Sequence, residues 1–132
     1  MSNTSVNIMV DLETVSTEHN AGIIAIGATI FGQLPAHYTP TVGYFYGKAS
    51  LASLERAGFA ISPKTLKWWA EQDKEVRNEA FSGTKDIYQV ILDFDHWLHQ
   101  IKRDSNCEIV LWGYGAGFDC AILQDAYDTH GS

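Results

Sequence analysis

Cysteine and proline are scarce in this chain, with two and three residues in 132. Cys107 and Cys120 stand in no Cys-x-x-Cys or Cys/His spacing, which argues against a zinc module or a disulfide scaffold and leaves buried free thiols as the expected state. No window holds 18 uninterrupted apolar residues, so no membrane-spanning helix and no membrane partner are expected. The first residues, Met1-Ser2-Asn3-Thr4-Ser5, lack the basic and apolar regions of a signal peptide, and the expectation is a soluble, cytoplasmic protein. Cations are also few: nine Lys and Arg face sixteen Asp and Glu, for a formal charge of −7. That balance argues against a broad basic surface for nucleic acid, so a polyanion would have to be held locally, by a metal and a few cations. Lys64, Lys67, Lys74 and Arg77 form the one basic cluster, and the absence of Gly-Lys-Ser/Thr speaks against a triphosphate cradle.

What is present is a globular composition: 45% hydrophobic residues, with four Trp, six Tyr and six Phe, enough for the core of one domain spanning 1–132. Residues 6–13 read as a first strand. Gly22 opens a nearly continuous apolar run to Phe31, read as a buried second strand, and 42–46 as a third, which together predict a three-strand antiparallel meander. After Gly47 the pattern turns helical. A short helix is expected within 49–60, ending at Gly58, and Ser62-Pro63 caps a helix running from Lys64 to Ala80. Gly83-Thr84 ends that helix and caps the next, on which Ile87, Val90, Ile91, Phe94, Leu98 and Ile101 recur on one face. Residues 107–112 read as a fourth strand, and a last helix runs from about Phe118 to Thr129. A right-handed crossover would lay the fourth strand parallel to the first, giving an α/β fold with a mixed sheet and flanking helices.

Within that sheet, Asp11 and Glu13 end the first strand at i and i+2. A strand alternates its faces, so both carboxylates project to the same side, roughly 6.5–7 Å apart at Cα. Two such anions need a counter-charge, and clustered oxygens suit a hard divalent cation, Mg²⁺ or Mn²⁺. The alternative is an ordinary strand end with both acids in water. Asp119 follows the fourth strand, so it can join Asp11 and Glu13 outside the carboxyl ends of the strands, where open α/β sheets bind ligands.

Asp11-Leu12-Glu13-Thr14, with Gly115-Ala116-Gly117-Phe118-Asp119 and Leu123 far downstream, resembles the first two motifs of the DEDD family of 3′–5′ exonucleases, which have a ribonuclease H-like fold. The segment from Ser62 to Gln72 resembles the Trp-Trp block of the phage and prophage exonuclease VIII-like branch. The resemblance implies two-metal hydrolysis of phosphodiester bonds at a DNA or RNA 3′ end, with Asp11, Glu13 and Asp119 as metal ligands and catalytic acids. It further implies Thr14, Trp68 and Gln72 as substrate contacts, with Trp68 offering a stacking face and Gln72 an amide. Trp69, 100° round the helix from Trp68, is expected in the core. The family's third motif, a His or Tyr base followed by a fourth acid, is not matched: His130 is followed by two residues, and Asp125 and Asp128 lack its spacing. The expectation is therefore a C-terminally incomplete exonuclease domain with weak or no activity.

Two other readings stay open on the residues. One is a catalytically silent nucleic-acid or protein-binding module of the same fold, whose uncovered sheet edge would favour pairing with another chain, as in a homo-oligomer. The other is a phosphatase-like enzyme with Asp11 as nucleophile, which Glu13 and the lack of an evident downstream Lys fit poorly. Lys64, Lys67 and Lys74 recur at helical spacing and read as a solvated face, with tracking of phosphates as the functional alternative.

Overall fold

The computed structural model describes residues 5–113 and 118–130, with the side chains of residues 118–120 and 129–130 outside that description. Strands β1 (Ser5–Thr14), β2 (Ile23–Phe31) and β3 (Tyr44–Lys48) form the expected antiparallel meander. Helices α1 (Leu51–Ala57), α2 (Pro63–Ala70), α3 (Lys74–Ala80) and α4 (Ile87–Ser105) then lead to β4 (Glu108–Gly113) and α5 (Phe118–His130). The sheet order is β3-β2-β1-β4, with β4 parallel to β1 in register from Ser5 opposite Glu108 to Val10 opposite Gly113. This mixed sheet with flanking helices is the arrangement of the ribonuclease H-like fold. Among the described residues no helix is long and apolar enough to cross a membrane.

Alternation along β1 decides which way the sheet faces. Val6, Ile8, Val10 and Leu12 are buried, and each such side chain contributes roughly 1.5–3 kcal/mol relative to exposure. They meet α4, whose Ile87, Val90, Ile91, Phe94, Trp97 and Ile101 are buried at helical spacing, and α5, through Ile122, Leu123 and Ala126. Phe45 of β3 closes this layer against Phe94 at 5.3 Å between ring centroids. The other face carries Asn7, Met9, Asp11 and Glu13 together with exposed aromatics: Phe31, Tyr44, Tyr46 and Trp112.

Several expected boundaries move. The third strand begins at Tyr44: Gly43 O still accepts from Ile30 N of β2, but Val42 O turns away to accept from the Trp97 indole. The helix expected to run to Ala80 is two helices. Glu71 ends α2, and Asp73, in an extended-type conformation (φ −52°, ψ 136°), caps α3 by accepting from Glu75 N. Arg77 donates to Ala70 O at 2.8 Å across the break, meeting one of the carbonyls a helix end leaves open. The cap of α4 is Asp86, which accepts from Tyr88 N, and not Thr84. Gly83 is held by crowding, since a Cβ there would stand 2.6 Å from Ala49 O. Gly58 ends α1 as expected, at φ 82°. Cys107 is a free thiol but half-buried, on the short link before β4.

Candidate functional site

The carboxyl ends of β1 and β4 lie side by side, since Val10 is opposite Gly113. Asp11 and Glu13 therefore stand just beyond the last paired residue of β4, on one face of the sheet, Asp11 exposed and Glu13 half-buried. On the β2 side the register slips by one residue between Glu13 and Thr14, at Ile24. Such bulges add twist and re-aim side chains, and they recur beside active sites. Opposite Asp11 sits Gly27, where an added Cβ would make only ordinary contacts, 3.6 Å from Asp11 O and 3.8 Å from the Tyr46 ring. An open groove of about 710 Å³ runs over this face, with Asp11, Gly27 and Tyr46 in its lining.

Charge around this rim is organised by Lys48. Its Nζ donates to Glu79 at 2.8 Å and to Ser82 Oγ at 2.7 Å, which ties β3 to α3. The hydrogen bond to Glu79 raises the Lys48 pKa, and the same bond lowers that of Glu79. Burial pushes the Tyr46 phenol up, Lys48 pulls against it, and Glu79 and Glu13 add to the rise. Lys48 is thus spent on Glu79. Asp11 has no ion pair with Lys or Arg among the described residues. The donor set fits a hard divalent cation: carboxylate oxygens on one face, one of them open to solvent. Among the described residues no three His, Cys, Asp or Glu gather into a metal cluster. The third expected acid, Asp119, falls in the first turn of α5, and its side chain lies outside the described residues.

Beyond Glu13 the structure opens a second cleft, about 470 Å³, between the end of β1 and α2. Its volume falls within the roughly 300–1,000 Å³ of small-ligand sites. Glu13, Thr14 and Ser16 form one wall; Lys64, Thr65 and Trp68 form the other. Ser62 builds this second wall locally, because its hydroxyl accepts from Thr65 N as the cap of α2. The walls are clamped by Trp69, which is 4% exposed and donates its indole N–H to Thr14 O at 2.9 Å. Trp68 stands edge-on to Trp69 at 5.0 Å and is 53% exposed. The Thr14 hydroxyl donates to Ser16 O, which fixes the turn out of β1.

The site residues inferred from sequence divide accordingly. Asp11 and Glu13 share a face, and Thr14 and Trp68 line the cleft. Gln72 lies past the end of α2, where its Nε2 donates to Trp68 O at 3.0 Å, leaving Oε1 without a protein donor among the described residues. Sequence reasoning did not find Ser16, Ser62 and Thr65 on the cleft walls. It also grouped Lys64 with Lys67 and Lys74, although the break at 71–73 puts Lys74 on another helix. The signal for Lys64 was its position four residues before Trp68, the spacing that makes neighbours on a helix.

A protein-family model described as the 3′–5′ exoribonuclease Rv2179c-like domain matches residues 6–132. No curated protein matches the chain.

Proposed function

The chain belongs to the Rv2179c-like 3′–5′ exoribonuclease domain family, and from that membership we propose that it removes nucleotides from the 3′ end of RNA by metal-dependent hydrolysis. The observation that carries this reading is the joining of two acids on one sheet face to a nucleotide-sized cleft at the end of the same strand. Glu13 belongs to both.

In this reading Asp11, Glu13 and Asp119 would hold two Mg²⁺ or Mn²⁺ ions, which when bound would supply water activation near neutral pH and charge stabilisation at the leaving 3′ oxygen. The chain's own residues bind and orient the substrate. The terminal base stacks on the exposed Trp68 ring, a contact worth roughly 1–3 kcal/mol per base. Thr14 and the remaining amide oxygen of Gln72 meet the polar edge of the terminal nucleotide. Trp69, by holding Thr14 O, fixes the cleft's width and with it the distance from the stacking ring to Glu13. The Trp68-Trp69 block supports placement in the exonuclease VIII-like branch of DEDD nucleases.

Oligonucleotides labelled at the 3′ end test the proposal. RNA is expected to lose its label in Mn²⁺ and not in EDTA, more readily than DNA of the same sequence, and not at all with Asp11→Asn. RNA that binds but keeps its label at every protein concentration would favour the silent binding module instead.

A further inference from the structure

We infer that Lys64 is a positioning residue that grips the phosphate of the terminal nucleotide while Trp68 holds its base. The inference rests on the nuclease reading of the same cleft and names how that cleft tells a nucleotide from a nucleoside.

Several observations single out this lysine. Lys64 and Trp68 are four residues apart on α2 and line the same wall, so their side chains are neighbours, roughly 5–6 Å apart at Cβ. Glu13 faces them across the cleft. Neither Lys67 nor Lys74 lines it, and Arg77 is engaged with Ala70 O. Lys64 is also unpaired. Of the nine Lys and Arg, Lys48, Lys85, Arg56 and Arg103 sit beside carboxylates; among the described residues the other five have no ion pair, and of those five only Lys64 lines the cleft.

The tryptophan at its side is unsatisfied in the same way. Trp69, Trp97 and Trp112 donate their indole N–H groups to Thr14 O, Val42 O and Asn7 Oδ1. Trp68 is the one tryptophan among the described residues whose indole N–H has no protein acceptor. A cation without an anion and a half-exposed ring with a free donor therefore share one wall, opposite a carboxylate. A nucleoside monophosphate offers the complement of both, a flat base for the ring and a dianionic phosphate for the ammonium. The overall charge of −7 repels such a ligand, so an unpaired cation beside the stacking face has a disproportionate effect on binding.

The test is a titration followed by the Trp68 indole N–H resonance, in buffer with Mg²⁺ at low salt, using adenosine 5′-monophosphate and adenosine as probes. Lys64→Met keeps most of the aliphatic stem and changes an exposed position, so an unchanged set of indole resonances reports an intact fold. It is expected to weaken the monophosphate about fivefold, the upper end for an exposed charge pair, and to leave adenosine unchanged. Lys67→Met is expected to alter neither. In 0.5 M NaCl the difference between native and Lys64→Met should shrink, as screening of exposed charges requires. Equal monophosphate affinity in the native and Lys64→Met proteins, or an equal loss of both probes, overturns the role of Lys64 while leaving the nucleotide cleft standing. Failure of both probes to move the Trp68 resonance in the native protein overturns the cleft itself, and with it the nuclease reading.

Discussion

Asp11→Asn is expected to abolish the rise in melting temperature that Mn²⁺ gives the native chain, while slightly raising the stability of the metal-free protein. The two effects share one cause. Asp11 and Glu13 lie two residues apart on the same face of β1, and Asp11 has no Lys or Arg partner among the described residues. Without a cation the two carboxylates repel, and neutralising one relieves that repulsion. With a cation they attract it jointly, and the native state gains RT ln(1 + [L]/Kd), about 1.4 kcal/mol at ten times Kd. For a domain of this size that corresponds to roughly 4–7 °C. The measurement is thermal unfolding with and without Mn²⁺, for both proteins. A rise of equal size in Asp11→Asn would remove Asp11 from the metal site.

The second large effect is at Trp69. Trp69→Ala is expected to destabilise the fold by about 3–5 kcal/mol, a large share of the 5–15 kcal/mol by which domains are stable. The residue is 4% exposed, packs edge-to-face on Phe81 at 5.6 Å, and donates to Thr14 O at 2.9 Å. Trp69→Phe keeps most of the packing and leaves Thr14 O without its donor, a cost of about 1 kcal/mol. Trp68→Ala, one residue away, should fall within about 0.5 kcal/mol of the native protein, because that ring faces the cleft and solvent. Urea unfolding of the three variants separates these values. Equal losses at Trp68 and Trp69 would mean that both rings serve the core, and the stacking platform would be gone.

The parts of the fold visible in the sequence were those written in short-range period. Alternation along the first strand gave the common side of Asp11 and Glu13. The spacing of Ile87, Val90, Ile91, Phe94 and Ile101 gave α4. The parallel placement of β4 followed from the handedness of the crossover. What stayed hidden was encoded by other means. Glu71-Gln72-Asp73 contains no Gly or Pro, so the break between α2 and α3 is written only in the capping of Asp73, and a continuous helix was the simpler expectation. The bond from Trp69 to Thr14 joins residues 55 positions apart, and no local pattern announces it. Ser16, Ser62 and Thr65 became cleft walls only when that bond docked α2 against the end of β1. Lys64 and Lys67 look alike in sequence and differ because only one of them borders the cleft.

The central claim is that three acids from β1 and α5 share one divalent-cation site. Substoichiometric Mn²⁺ added to isotope-labelled protein tests it directly, because the ion broadens the resonances of nearby nuclei. The account predicts that signals from Asp11, Glu13 and Asp119 broaden together, ahead of those from Asp73, Asp86 and Lys64. Broadening at Asp11 and Glu13 with residues 118–120 left sharp would contradict it.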